Sequence, residues 1–125
     1  MYAPSLIDVR TLAEFRGEHF FDAPPQPRQT TGHIPGARHL PHTALLRADG
    51  TYRPAEELRV LCDQQGLTAS REAIPYCAVG IRSALAWFAL KHLLGFPHVR
   101  SYDGSWNEWS RAKTTGAGNR AEEGL

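Results

Sequence analysis

The chain has 125 residues, of which 42% are hydrophobic and 22% charged, with a formal net charge of +1. That suits a single globular domain built on one hydrophobic core. It gives no electrostatic case for nucleic acid or an anionic membrane surface, and no stretch approaches the ~20 apolar residues of a membrane span; a small anionic substrate held by local charge stays open.

The elements follow in chain order. Ser5 to Val9 is a short apolar run that predicts a buried strand and leads into Arg10. Thr11 with Glu14 three residues on is a capping-box pattern, which predicts a short helix from Leu12 to Gly17. The Phe20 to Thr31 segment contains Pro24-Pro25-Gln26-Pro27 and reads as a loop. Gly32 to Ala37 is a turn feeding a short strand around Arg38-His39-Leu40, and Asp49-Gly50-Thr51 is a further turn. Pro54 sits at an expected first helical position, with Glu56 and Glu57 where the helix dipole favours anions. That helix is expected to reach Gln65 and to stop at Gly66, with Leu58, Leu61 and Cys62 facing the core.

Glu72 to Cys77 predicts a strand, Ala78 to Ile81 a loop, and Ser83 to Leu94 an apolar, buried helix ended by Gly95. Val99 to Tyr102 predicts a last strand and Asp103-Gly104 a turn. Ser105 with Glu108 suggests a second capping box, opening a helix through Trp106 and Trp109. Residues 1–112 are thus read as one domain and 113–125, polar and Gly-rich, as a flexible tail. Strands alternating with helices argue for an α/β fold with a largely parallel central sheet. Ligands in such folds sit at the carboxyl ends of strands, where Cys77 falls. Pro75 conflicts with a central strand, because proline cannot donate to a ladder.

Two cysteines with no secretory signal before them do not make a disulfide framework, so Cys62 and Cys77 read as thiols in a reducing, cytoplasmic setting. Cys77 opens the segment Cys77-Ala78-Val79-Gly80-Ile81-Arg82-Ser83, a tight loop running into a helix. Backbone N–H groups in such a loop form an anion-binding nest, and the helix aims its positive end at the same place. Gly80 supplies freedom for the curl and Arg82 a permanent charge with a planar donor fork. Together these favour a thiolate at Cys77. Cys62 has no such setting and reads as core. His33, His39 and His42 match no zinc spacing, and the three tryptophans read as packing.

Four segments together resemble the rhodanese family. They are Leu6-Ile7-Asp8-Val9-Arg10, Gly32-His33-Ile34-Pro35-Gly36-Ala37, Tyr76 to Ser83, and Tyr102-Asp103-Gly104-Ser105-Trp106. The likeness is greatest to the C-terminal domain of tandem-domain sulfurtransferases. It implies a rhodanese-like α/β fold with a mostly parallel, five-stranded sheet flanked by helices. It also implies that Cys77 takes sulfur from a small anionic donor as a persulfide and passes it to a thiol or cyanide, with no metal or organic cofactor. Ala78, Val79, Gly80, Ile81, Arg82 and Arg10 would bind the donor, with Asp8 and Ser83 as structural supports.

Related phosphatases place five residues between cysteine and arginine. Four separate Cys77 from Arg82, which suits sulfur rather than phosphate. Thiosulfate-using relatives often carry a basic residue just after the cysteine, where this chain has Ala78. Mercaptopyruvate-using relatives carry a serine and a threonine at the positions of Val79 and Arg82. The terminal arginine favours thiosulfate over 3-mercaptopyruvate. The likeness to one domain of a tandem protein leaves this chain as a fragment or shortened product that lacks a partner rhodanese domain, or as a stand-alone domain. Inactive rhodanese modules usually lack the cysteine, so a non-catalytic binding role is the less favoured reading.

Overall fold

The computed structural model describes residues 4–20, 23–27, 29–78, 81–102 and 104–114, the last four of these by backbone alone. Strand β1 is Ser5–Asp8, β2 Arg38–His39 and β3 Ala73–Tyr76; helices α1 to α4 are Leu12–Phe15, Ala55–Gln64, Ile81–Phe88 and Ser105–Thr114. The Thr11–Glu14 capping box forms as expected: the Thr11 hydroxyl accepts the Glu14 N–H at 3.2 Å and Glu14 Oε1 accepts the Thr11 N–H at 3.2 Å. Helix α1 then ends two residues early, at Phe15, ahead of Gly17 at φ 84°.

Helix α2 begins at Ala55, with Pro54 as its N-cap, one residue later than expected. Gly66 closes it at φ 71°. The Gly66 N–H reaches Asp63 O at 3.0 Å and the Leu67 N–H reaches Cys62 O at 2.9 Å. That is a complete Schellman cap, with apolar Leu67 folded back onto the core beside Cys62.

Helix α3 starts at Ile81, inside the segment expected to be loop, and continues as a π-turn over Ala89–Leu93. It is not buried all round. Ser83, Ala86, Ala89 and Leu90 form the buried stripe, whereas Phe88 is exposed. Among the described residues no helix is long and apolar enough to cross a membrane.

The sheet is parallel, in the order β2-β1-β3. In place of the five strands expected, the described residues give three, with Val99 joined to Ala73 by a single parallel bridge at the far side of β3. Pro75 is the physical reason for this reduced fourth position. Ala73 donates to His98 O at 2.9 Å and accepts from the Arg100 N–H at 3.0 Å. Pro75 O accepts from the Tyr102 N–H at 2.9 Å, and no donor exists at Pro75 to complete the pattern. On its other side, Tyr76 O takes the Val9 N–H at 3.0 Å. Proline therefore interrupts only the outer ladder and leaves β1–β3 pairing whole.

Alternation along β1 divides the molecule into two layers. Ile7 and Val9 join Leu58 and Cys62 of α2 and Ala86 of α3 in the main core. On the opposite face Tyr76 packs with Ile34 and Trp106, and Leu6 and Trp109 lie against them. Helices on both faces cover the sheet, as parallel sheets require.

Candidate active site

Cys77 directly follows β3 and is fully buried. Its backbone is fixed on two sides by the start of α4. The Cys77 N–H donates to Ser105 Oγ at 2.9 Å, and Ser105 Oγ donates onward to Tyr102 O at 2.6 Å. The Cys77 and Ala78 carbonyls accept the N–H groups of Trp106 and Asn107, at 2.8 and 2.9 Å. Ser105 therefore does not form the expected box with Glu108; the Glu108 N–H goes to Gly104 O. Ser105 holds this position at φ 51° with its side chain buried. In a trans peptide the N–H points opposite to the C=O. With the Cys77 carbonyl turned to α4, the Ala78 N–H faces the other way, as an anion-binding nest needs.

Arg82 lies in the first turn of α3. Its guanidinium grips Glu14 with two bonds, Nη1 to Oε1 at 2.7 Å and Nη2 to Oε2 at 3.0 Å. The Glu14 side chain is 1% exposed and that of Arg82 25%. Burial alone would raise the Glu14 pKa, but the hydrogen bond and charge of Arg82, the Thr11 N–H and the charge of Arg10 outweigh it and hold the carboxyl below its ordinary range. Glu14 strengthens the Arg82 cation first of all, and the charges of Cys77 and Asp8 add to it. Arg82 is thus within electrostatic reach of the sulfur.

The sign of this linkage gives a prediction. A carboxylate whose pKa is lowered by folding adds stability above its unfolded pKa, and loses it as pH falls through the lower folded value. The urea midpoint should therefore fall on acidification below the ordinary carboxylate range, and Glu14→Gln should flatten that fall. An equally steep fall in the variant would show that the pair adds nothing.

Beneath the loop, Asp8 and Arg10 form a second buried pair, with Nη2 to Oδ2 at 2.7 Å and side chains 0% and 2% exposed. Arg10 Nε and its own N–H also reach Asp8, and Nη2 donates to Gly32 O at 2.6 Å. The guanidinium lies 4.6 Å over the Trp106 ring. Tyr76 Oη accepts the Ile34 N–H at 3.1 Å, and the Tyr76 carbonyl accepts the Val9 N–H at 3.0 Å, which ties the end of β3 to β1. Ser83 Oγ meets Ser101 Oγ at 3.0 Å, joining α3 to the chain beyond Val99.

The three neighbouring histidines brace the turn after β1. His33 Nδ1, His39 Nε2 and His42 Nδ1 donate to Phe15 O, Arg10 O and Val9 O, at 2.8, 2.9 and 3.0 Å. His33 also stacks on Phe15 at 3.7 Å. Cys62, by contrast, sits in the main core, where burial and the charge of Asp63 push its thiol up to about 11.

The family profile of the rhodanese-like domain matches residues 1–112. The chain belongs to the rhodanese-like family. Its rhodanese domain is 47% identical over 107 residues to the sulfur carrier protein TtuD of Thermus thermophilus, covering 84% of this chain and 38% of TtuD. A Haloferax volcanii protein provisionally named as a thiosulfate sulfurtransferase is 48% identical over 107 residues, covering 83% of this chain and 37% of that protein. The chain therefore spans under two fifths of the length of these curated relatives. Among solved structures, a cysteine-persulfide tetrahedral-intermediate state of EanB with ergothioneine superposes with a TM-score of 0.79 at 30% identity, over 97% of this chain and 28% of that one.

Within the rhodanese domain, Cys77 and Ala78 lie at the end of β3, Arg82 lies in the first turn of α3, and Ile81 opens α3 at 75% exposure. Val79 and Gly80 lie outside the described residues. Arg10, expected to contact the donor, has its described bonds to Asp8 and Gly32. Two residues at the site escaped the sequence reading. Glu14 registered only as a helix cap, and Ser105 as a partner for Glu108 and a member of the fourth family segment, with no link to Cys77. Their contacts to Arg82 and Cys77 span 68 and 28 residues, beyond any local pattern.

Proposed function

We propose that this rhodanese domain is a sulfurtransferase that moves a sulfane sulfur from thiosulfate to a thiol or cyanide through a Cys77 persulfide. One observation carries the reading: the cysteine stands at the carboxyl end of β3, its loop carbonyls pinned outward by α4, with the Arg82 cation within reach. The names of the relatives support sulfur transfer in general.

The Cys77 thiolate attacks the outer sulfur of thiosulfate. The S–S bond of the donor breaks and its electron pair leaves with sulfite. Cyanide or a thiolate then attacks the outer sulfur of the persulfide. Thiocyanate or a new persulfide departs, and Cys77 is again a thiolate. The two half-reactions give ping-pong kinetics. In this reading the amides of the Ala78, Val79, Gly80 and Ile81 loop and the Arg82 fork hold the donor's sulfonate group. Arg10 adds positive charge from beneath, and Asp8 and Ser83 serve as structural supports. The chemistry belongs in a reducing cytoplasm, which keeps Cys77 a thiol between cycles. A second domain, for which the greater length of the relatives leaves room, would complete the donor contacts.

Thiocyanate formation measured with thiosulfate and with 3-mercaptopyruvate tests this. Thiosulfate should give the higher kcat/KM, and Arg82→Ala should lower it by about tenfold or more, the loss of a charge-assisted contact. A higher value with 3-mercaptopyruvate would replace the donor. No turnover with either, from folded protein, would favour the binding module.

A further inference from the structure

We propose that Glu14 is a positioning residue for the chemistry of Cys77: its buried carboxylate holds the Arg82 fork at the end of the loop that Cys77 opens. This rests on Cys77 being the nucleophile. Arginine side chains are long, with about 2 kcal/mol of rotamer entropy, and a partly exposed one points where its partners hold it. Arg82 emerges from the first turn of α3, and its described partner is the bidentate carboxylate of Glu14, which reaches it from α1. The carboxylate is itself fixed. Oε1 accepts the Thr11 N–H at 3.2 Å and lies 3.1 Å from the Thr11 hydroxyl, and the side chain is buried at 1% exposure.

The carboxylate therefore does two jobs at once. It closes the N-terminus of α1 and it aims a cation on another helix. The turn bearing Asp8 and Arg10 is in this way coupled to the loop bearing Cys77. Arg82 on α3 is the charge coupled to the sulfur; Glu14 on α1 and Asp8 at the end of β1 act on Arg82 in turn, and Arg10 acts on Glu14. From β3, Tyr76 stays protonated, because burial and then the Asp8 charge push its pKa far up. From α4 come the backbone N–H groups of Trp106 and Asn107, which bind the loop carbonyls.

Positioning and plain electrostatics predict opposite signs. A carboxylate acting only through its charge disfavours the thiolate, so removing it lowers the Cys77 pKa. A carboxylate that holds Arg82 in place favours the thiolate, so removing it raises that pKa. The test is the pH dependence of iodoacetamide alkylation, read separately for Cys77 and Cys62 by peptide mass. In Glu14→Gln the Cys77 midpoint should move up by about half to one unit, part of the one to three units an adjacent opposite charge provides.

Glu14→Asp keeps the charge and shortens the reach by one methylene. It should also move the midpoint up, and it decides the matter if Glu14→Gln does not fold. On an Arg82→Gln background, Glu14→Gln should add nothing. A midpoint that falls or stays in place, or an additive effect on that background, overturns the role of Glu14. A wild-type Cys77 as slow as Cys62 at every pH would instead remove the nucleophile reading, and so the two failures are distinguishable.

Discussion

A Cys77→Ser variant is expected to lose thiocyanate formation by on the order of a thousandfold or more, because serine cannot carry a sulfane sulfur and the covalent route closes. Burial is no guide to which cysteine matters, since Cys77 and Cys62 are both inside the fold. They differ in electrostatic setting. Arg82 interacts electrostatically with Cys77, whereas Cys62 is desolvated beside Asp63 and its thiol is pushed up to about 11. At neutral pH Cys62 is therefore almost wholly protonated and a poor nucleophile. Cys62→Ser places a hydroxyl in the main core and should cost about 1–3 kcal/mol of stability. Turnover per folded molecule should stay within about twofold, a change too small for a lost nucleophile. Equal losses in both variants would mean that the nucleophile has been misassigned.

Arg10→Leu is expected to destabilise the domain by about 3–5 kcal/mol, the usual cost of stranding one member of a buried ion pair. Asp8 would remain at 0% exposure without the guanidinium bonds it now accepts. The Gly32 carbonyl and the Trp106 ring would lose their partner as well. An Asp8→Leu, Arg10→Leu double variant should regain part of the loss, because removing both charges removes the uncompensated one. Arg100, paired with Glu72 on the surface, makes the contrast: its side chain is 70% exposed, and Arg100→Ala should leave the urea midpoint nearly unchanged. A small shift for Arg10→Leu together with a large rise in thiosulfate KM would assign Arg10 to donor binding rather than to holding the strand end.

Much of this architecture was legible because it is written locally. The Thr11–Glu14 box, the stop at Gly66, the apolar runs of β1 and β3 and the cysteine loop before a helix are patterns a few residues long, each with a direct physical cause. The sequence reading failed where a residue answers to something distant. Pro75 contradicted a central strand until the sheet showed that its missing donor faces only the outer segment near Val99. Ser105 matched a helix cap by spacing, yet its hydroxyl belongs to Cys77, 28 residues earlier. Glu14 filled its local role completely, and nothing along the chain pointed to Arg82. Of the five strands expected, the described residues give three, and the Val99 segment, which meets proline in its neighbour, joins them by a single bridge.

The most direct test of the account is the intact mass of the chain after incubation with thiosulfate. A gain of one sulfur atom, about 32 Da, that cyanide removes and that Cys77→Ser never acquires, is the result predicted for a covalent sulfur carrier. An unchanged mass in folded wild-type protein, or an equal gain in Cys77→Ser, would contradict it.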